Sequence, residues 1–280
     1  MLASTLLITS AVLHALWNAL VKFDDEARVN TMGVLVVAAV CATIVIPFYA
    51  ASSFPDSRAY AWMLGAGVAE AGYFVTLALA LEHSPLGLAY TVSRGGAMVL
   101  VWLISVAFLG EAVGWATFVG VALVLLGLGL SHEQGGRGRQ ASLSRLKWAY
   151  LCACFIAAYH FFYGRALLLG ALPAALFAGS LWVGLPIYIA VSPSAIRQRL
   201  LAKFVSKPVP MVFGGMVCAL SFLIFLNGLA HAGAGFAITL RNTSVVFAQV
   251  FGLFIGEKFV GRRWLGALLV VAGAAFIALK

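Results

Sequence analysis

Two arginines lie inside long apolar runs of this 280-residue chain, and they are the first residues to which chemistry can be assigned. Arg94 stands in YTVSRGGAMV (90–99), and Arg241 stands in ITLRNTSVV (238–246). An arginine at the centre of a bilayer costs about 2.5–3.5 kcal/mol on insertion scales, so something must offset each charge. Two guanidiniums that face one cavity would hold a carboxylate or a phosphate through paired hydrogen bonds.

The other titratable groups singled out inside apolar runs are Glu70, His14 and His160. Glu70 could neutralise one arginine, but one carboxylate cannot neutralise two guanidiniums, and a bound anion is therefore implied. Alternatively, Glu70, His14 and His160 take up and release protons, because burial and neighbouring charges shift the range in which such groups titrate. An Arg–Glu ion pair, acting as a gate or a scaffold, is the equal alternative for Glu70.

The first apolar run carries a polar stripe, because Ser10, His14, Asn18 and Lys22 recur at four-residue spacing, with Trp17 beside them. A stripe of this kind on a helix must face protein or water, because lipid cannot satisfy its polar groups. We expect it to line a cavity, with His14 and Asn18 as hydrogen-bond partners. The alternative is that it packs against neighbouring helices and holds them together.

The amino-acid composition indicates whether these residues lie in water or in a membrane. Hydrophobic residues make up 63% of the chain and charged residues only 10%, whereas soluble domains average about 25% charged residues. Ten runs are long enough to span a bilayer as helices: 2–22, 29–50, 60–81, 85–108, 112–131, 147–168, 173–191, 210–229, 235–255 and 262–279. They do not alternate polar and apolar residues, as barrel strands would. The sequence therefore predicts an all-α membrane protein with ten transmembrane helices.

The two halves of the chain resemble each other. LGEAVGW (109–115) and IGEKFVG (255–261) each follow a run that contains one of the arginines, Arg94 seventeen residues before Glu111 and Arg241 sixteen before Glu257. We predict a first five-helix repeat (1–131), a polar linker (132–146) and a second five-helix repeat (147–280). Because five is odd, the repeats must be inverted relative to each other, which is typical of transporters with a substrate site at the midplane.

Loop charge predicts the orientation. Of the eighteen Lys and Arg residues, thirteen fall on one side of the predicted spans and three on the other. The basic side of a membrane protein faces the cytoplasm, so both termini are predicted outside. The net charge of +9 is then a topology signal next to anionic lipid, and no nucleic-acid partner is expected.

The duplicated pattern, with Gly-Glu before the last span of each half, resembles the drug/metabolite transporter superfamily, and within it the EamA-type ten-helix transporters. HALWNALVK (14–22) resembles a bacterial subgroup associated with phosphonate use. In the sugar-phosphate branch of the superfamily, basic residues on the fourth and ninth helices bind phosphate, and the resemblance carries that role to Arg94 and Arg241. Two features depart from the pattern. Many relatives have cytoplasmic termini, and many have a proline where this chain has Ala97 and, nearly, Ser244.

These observations predict a secondary active transporter of a small anionic metabolite that carries phosphate, phosphonate or carboxylate. The alternatives are a proton-coupled exporter of neutral or cationic amphiphiles or amino acids, and a non-transporting membrane scaffold or lipid scramblase. No catalytic motif, cofactor or metal site is predicted, and the chain is expected in the bacterial cytoplasmic (inner) membrane as a monomer or homodimer that contacts lipid.

The predicted substrate contacts are Arg94, Arg241, Asn242, His14, Trp17, Asn18, Tyr90, Tyr73 and His160, and the predicted coupling or gating residues are Glu70, His14 and His160. Tyr159 is expected to join Trp17 and Tyr73 in an apolar wall.

Overall fold

A computed structural model describes residues 2–23, 26–49, 52–109, 114–131, 136–232 and 234–278. In these ranges the regular structure is entirely helical. The α-helices are α1 (Leu2–Lys22), α2 (Ala27–Val45), α3 (Arg58–His83), α4 (Leu86–Leu109), α5 (Trp115–Ser131), α6 (Gly136–Leu168), α7 (Pro173–Val191), α8 (Ser194–Ser206), α9 (Pro208–Ala232), α10 (Ala234–Asn242), α11 (Ser244–Phe254) and α12 (Gly261–Ala278). A short 3₁₀ helix, Ile46–Phe48, follows α2.

Long apolar helices confirm the predicted class, an all-α membrane protein. Within the described ranges, nine helical segments are long and apolar enough to cross a membrane, and α5 is apolar but shorter at 17 residues. The predicted ninth span, 235–255, is divided into α10 and α11 by a turn at Thr243. Residues 136–146, expected to belong to a polar linker, form the first turns of α6.

One helix was not predicted from the sequence. α8 has 13 residues and carries Arg197, Arg199 and Lys203, whereas Leu201 and Val205 are largely exposed. It is too short and too charged to span a bilayer. A charged helix with exposed apolar side chains suits the membrane interface, where both kinds of group find a favourable environment.

The helices pack in pairs that repeat between the two halves. If α1, α2, α3, α4 and α5 correspond to α6, α7, α9, α10–α11 and α12, then the contact of α1 with α9 has its counterpart in the contact of α6 with α3. In the same way, α4 contacts α6 as α10 and α11 contact α1, and α2 contacts α9 as α7 contacts α3. The pairing agrees with the duplication seen in the sequence. The inversion of the two halves stays a prediction from the odd number of spans.

The last helices of the two halves meet along a seam of glycines. Gly120 and Gly127 of α5 lie against Gly273 and Gly266 of α12, so closely that a Cβ added at Gly120 would stand 2.7 Å from the Gly273 carbonyl oxygen. Small residues at regular spacing allow helix backbones in a membrane to approach in this way. The seam therefore joins the two halves within one chain.

Ion pairs between helices gather at one end of the bundle, which we call the basic end. Glu26, just before α2, accepts hydrogen bonds from Lys203 at 2.6 Å and Arg199 at 3.2 Å, both on α8. Arg28 of α2 pairs with Glu82 of α3 at 2.8 Å. These contacts place the start of α2, the end of α3 and helix α8 at the same end.

Lys22 and Glu257 tie the two repeats together at the basic end. Lys22 Nζ donates to the carbonyls of Leu81 at 2.6 Å and Ser84 at 2.8 Å, where α3 ends, and lies 4.0 Å from Glu257 Oε1. That oxygen accepts the backbone N–H of Leu86 at 2.5 Å, where α4 begins, and so satisfies a donor that a helix start leaves unpaired. Since α1 ends and α12 begins here, the start of α1 and the end of α12 lie at the opposite end. Glu111 lies outside the described residues.

The glycine seam gives a prediction about stability. Gly120→Ala places a methyl group against the backbone of α12, whereas Gly129→Ala, on the same helix, meets nothing within 4 Å. Both changes improve helix propensity, so their difference isolates the contact. We expect Gly120→Ala to lower the melting temperature in detergent by several degrees, since overpacking costs roughly 1–3 kcal/mol. Gly129→Ala is expected to leave it unchanged or raised, and equal effects at the two positions would contradict the seam.

Candidate functional site

The two buried arginines approach the same histidine from opposite sides. Arg94 on α4 and Arg241 on α10 are 2% and 1% exposed, and His14 on α1 is fully buried. Arg94 Nη2 contacts His14 Nε2, and Arg241 Nη2 lies 2.8 Å from His14 Nδ1. The repeat-equivalent arginines predicted from the sequence are thus brought together, with one imidazole ring between them.

This arrangement has more hydrogen-bond donors than acceptors. A guanidinium only donates, and a neutral imidazole offers one acceptor nitrogen and one N–H. Both ring nitrogens of His14 nevertheless face a guanidinium, and Trp17 Nε1 donates to Nδ1 as well, at 3.1 Å. His14 therefore cannot satisfy all the groups that point at it.

Arg241 is surrounded by oxygens and aromatic rings. Its Nη1 donates to the carbonyl and the hydroxyl of Ser221 on α9, both at 2.9 Å, and also contacts Ser10 of α1. The two serines clamp α1 to α9, because each hydroxyl donates to the other's carbonyl, at 2.7 and 3.1 Å. The guanidinium carbon lies 5.0 Å from the centre of the Phe222 ring and 4.7 Å from that of Phe225. Cation–π contact and dipoles offset this charge.

Arg94 has fewer partners. Its Nη1 has no hydrogen-bond partner, and the same is true of Arg241 Nε. No carboxylate in the described part of the chain forms an ion pair with either arginine. Among the described residues, the site therefore combines two positive charges with guanidinium donors that have no acceptor, and an anion is the kind of group whose charge and acceptors would complement them.

Glu70 does not form the ion pair with an arginine that was the alternative considered for it. Its Oε1 accepts a hydrogen bond from Tyr163 Oη at 2.5 Å, and Tyr163 Oη lies 2.8 Å from Ser180 Oγ. The reason is orientation: Glu70 faces α6 and α7, whereas Arg94 faces α1. Glu70 is fully buried, and its Oε2 has no partner.

Aromatic side chains connect the arginines to Glu70. Tyr73 packs on Tyr159 with ring centres 5.2 Å apart, and Tyr159 packs on His160 at 4.4 Å and on Tyr163 at 5.6 Å. His160 also meets Phe225, the ring beneath Arg241, at 5.6 Å. His160 Nε2 has no hydrogen-bond partner. The predicted residues Tyr73, Tyr159 and His160 are therefore neighbours, and they lie between the two charged centres.

The remaining predicted residues differ in their placement. Tyr90 Oη donates to the His14 carbonyl at 3.0 Å, and Asn18 Nδ2 donates to the same carbonyl at 2.8 Å. Asn18 Oδ1 and Asn242 Nδ2 are buried without partners. Lys22, the last residue of the polar stripe, does not line this site, because its Nζ donates to backbone carbonyls at the basic end.

Sequence reasoning missed five residues that contact this region: Ser221, Phe222, Phe225, Tyr163 and Ser180. Ser221 and the two phenylalanines lie on α9, which is almost uniformly apolar and shows no polar stripe. Tyr163 and Ser180 lie on two different helices, and their meeting with Glu70 depends on how α3, α6 and α7 pack. No spacing in the sequence indicates either group.

Comparison with known proteins agrees with this architecture. Residues 146–279 match the EamA-like transporter family. Over 82 residues the chain is 34% identical to the quaternary ammonium compound-resistance protein QacF of Klebsiella aerogenes, covering 28% of this chain and 74% of that protein. Over 69 residues it is 32% identical to an uncharacterized transporter in the cobO 3' region of a Sinorhizobium species, covering 24% of this chain and only about half, 49%, of that protein.

The fold extends over the whole chain. A protein of known crystal structure matches 98% of this chain, and 95% of its own length, with a TM-score of 0.63 and 16% identity, which shows a shared fold alone. Three findings agree on the family: the named relatives, the family match over the second repeat, and the bundle of apolar helices. The chain belongs to the EamA-like transporter family of the drug/metabolite transporter superfamily, and it is a multi-pass membrane protein.

Proposed function

We propose that this transporter moves a small anionic metabolite by alternating access, with the anion held between Arg94 and Arg241. The observation that carries the proposal is the convergence of two buried guanidiniums on one imidazole, with no carboxylate partner among the described residues. Arg94 Nη1 and Arg241 Nε are donors without partners, and an anion would supply the acceptors that they lack.

A phosphate- or phosphonate-bearing substrate is favoured, and a carboxylate or an amino acid is the next candidate. A doubly charged group balances two guanidiniums, whereas a single carboxylate leaves one positive charge uncompensated. A tetrahedral group also presents three oxygens, enough to accept from both arginines at once. Phe222 and Phe225, which pack under the Arg241 guanidinium, offer an apolar surface to the part of the substrate that carries no charge.

The proposal predicts that Arg94→Ala and Arg241→Ala each abolish transport of the anion in proteoliposomes while the protein remains folded. Binding is measured as thermal stabilisation of the purified protein by inorganic phosphate, methylphosphonate and acetate. We expect each variant to bind the preferred anion more than roughly tenfold more weakly, because hydrogen bonds to charged groups are worth about 1.5–3 kcal/mol.

Arg262→Ala is the matched control, because Arg262 is exposed at the start of α12. It is expected to transport and bind as the unmodified protein does. Uptake at the unmodified rate in folded Arg94→Ala or Arg241→Ala would rule out an anion held between these arginines.

Glu70 is the proposed proton-coupling residue, ahead of His14 and His160. A carboxylate buried in a membrane without a cation is costly, and the part of the chain that the structure describes offers Glu70 only hydroxyl partners. Tyr73, Tyr159, Tyr163 and His160 pack in a row between Glu70 and the arginines. Through these contacts, protonation of Glu70 can affect the arginine site.

Glu70→Gln is expected to remove the pH dependence of transport while keeping the affinity for the anion within about threefold, because the amide cannot release a proton. The measurement compares initial transport rates from pH 5.5 to 8.5 with binding at each pH. Glu82→Gln, at the basic end, is the control and should keep the pH dependence. Unchanged pH dependence in Glu70→Gln would exclude Glu70 from coupling.

Export of cationic amphiphiles is the second candidate, because one relative is named for resistance to quaternary ammonium compounds. Glu70, with Tyr73, Tyr159 and Tyr163 nearby, would then be the cation site, and the arginines would be structural. The same Glu70→Gln variant separates the candidates. Loss of resistance to a cationic dye in an overexpressing strain, with no anion binding by the purified protein, favours the exporter. The transporter family gives no support to a scaffold or scramblase.

We further propose that the basic end faces the cytoplasm and that both termini face outward, in a bacterial inner membrane. Glu26 bonds Arg199 and Lys203, so the start of α2 and the basic helix α8 lie at the same end. Anionic lipid and the positive-inside bias favour the cytoplasm for that end. Alkaline phosphatase fused after residue 280 is expected to be active, and fusion after residue 206, beyond α8, is expected to be inactive. The reverse pattern would place the termini in the cytoplasm.

A further inference from the structure

His14 stands where the proposed anion must bind. Its ring lies between the two guanidiniums, with Nδ1 2.8 Å from Arg241 Nη2 and Nε2 in contact with Arg94 Nη2. An anion that accepts hydrogen bonds from both of these Nη2 groups needs the positions that the two ring nitrogens hold. The ring and the anion therefore compete for the same positions.

The ring is a poor partner for two guanidiniums. One of its nitrogens carries a hydrogen and cannot accept, so at least one of the two arginine contacts sets N–H against N–H. Trp17 Nε1 competes for the remaining lone pair, at 3.1 Å from Nδ1. A histidine in this position shields the two positive charges from each other without neutralising either of them.

We propose that His14 is a displaceable stand-in for the substrate, which occupies the anion site of the empty transporter and leaves it when the anion binds. This inference rests on the proposed function and assigns His14 a role opposite to that of a substrate ligand. Displacement lowers the apparent affinity, because only the fraction of molecules with the ring moved aside can bind. In return, the ring separates the two positive charges when no substrate is bound.

The described side chains that surround His14 carry no negative charge. α4 presents Arg94 and Tyr90, α10 presents Arg241, and α9 presents Phe222, which meets the His14 ring at 5.5 Å. None of these groups is an acid. A negative charge between the arginines would reduce their repulsion far more than a neutral ring does.

The test is the direction in which affinity changes. His14→Ala removes the competitor, so inorganic phosphate and methylphosphonate are expected to bind roughly tenfold more tightly, the size of one hydrogen bond to a charged group. The empty protein should melt at a lower temperature than the unmodified one, and the anion should restore most of the difference. His14→Asn, which keeps one acceptor, should give intermediate affinity and serves if the alanine variant does not fold.

His83→Ala is the matched control, because His83 is an exposed histidine at the end of α3 that bonds only a carbonyl of its own helix. It should bind as the unmodified protein does. Weaker or equal anion binding in both His14 variants overturns the stand-in role and leaves the anion proposal intact. Absence of anion binding in the unmodified protein and in both variants overturns the anion proposal and this inference together.

Discussion

The interaction on which the rest of the structure depends is the burial of two guanidinium charges between helices that offer them no carboxylate. Arg241 is compensated by carbonyl and hydroxyl oxygens of two serines and by two aromatic rings. Arg94 has the His14 ring and a donor with no partner. Hydrogen bonds to charged groups contribute about 1.5–3 kcal/mol each, so the two charges are unequally compensated. The pseudo-equivalent arginines are therefore chemically different, and Arg94 has more to gain from an anion.

The duplicated fold explains why two such charges meet at all. Each half contributes one arginine from an equivalent helix, α4 or α10, and α1 places His14 between them. The glycine seam of α5 and α12 and the Lys22–Glu257 contact also join the halves. Displacing one half relative to the other would change the distance between the arginines. The contacts that join the repeats therefore also determine the geometry of the site.

The sequence predicts the helices well and the site only partly, for a physical reason. A span is recognised by apolar length alone, and the limits of α1 and α7 agree with the predicted 2–22 and 173–191. α8 was missed because 13 residues with three basic side chains do not resemble a span. The arginine pair was found because the duplication relates Arg94 to Arg241. The partner of Glu70, Tyr163, could not be found from the sequence, because their contact depends on which faces of α3, α6 and α7 meet and because Tyr163 has no distinctive spacing.

The separation of Glu70 from the arginines is as important as the meeting of the arginines. If the carboxylate paired with Arg94, it would neutralise that charge permanently, and a substrate would have to break a buried ion pair, which costs about 3–5 kcal/mol when one partner is lost. Tyr163 and Ser180 instead hold Glu70 toward α6 and α7. His14, which the arginines contact in its place, carries no negative charge and cannot neutralise them. The fold thus keeps its buried acid away from its two buried bases, and this separation leaves both guanidiniums without a carboxylate among the described residues.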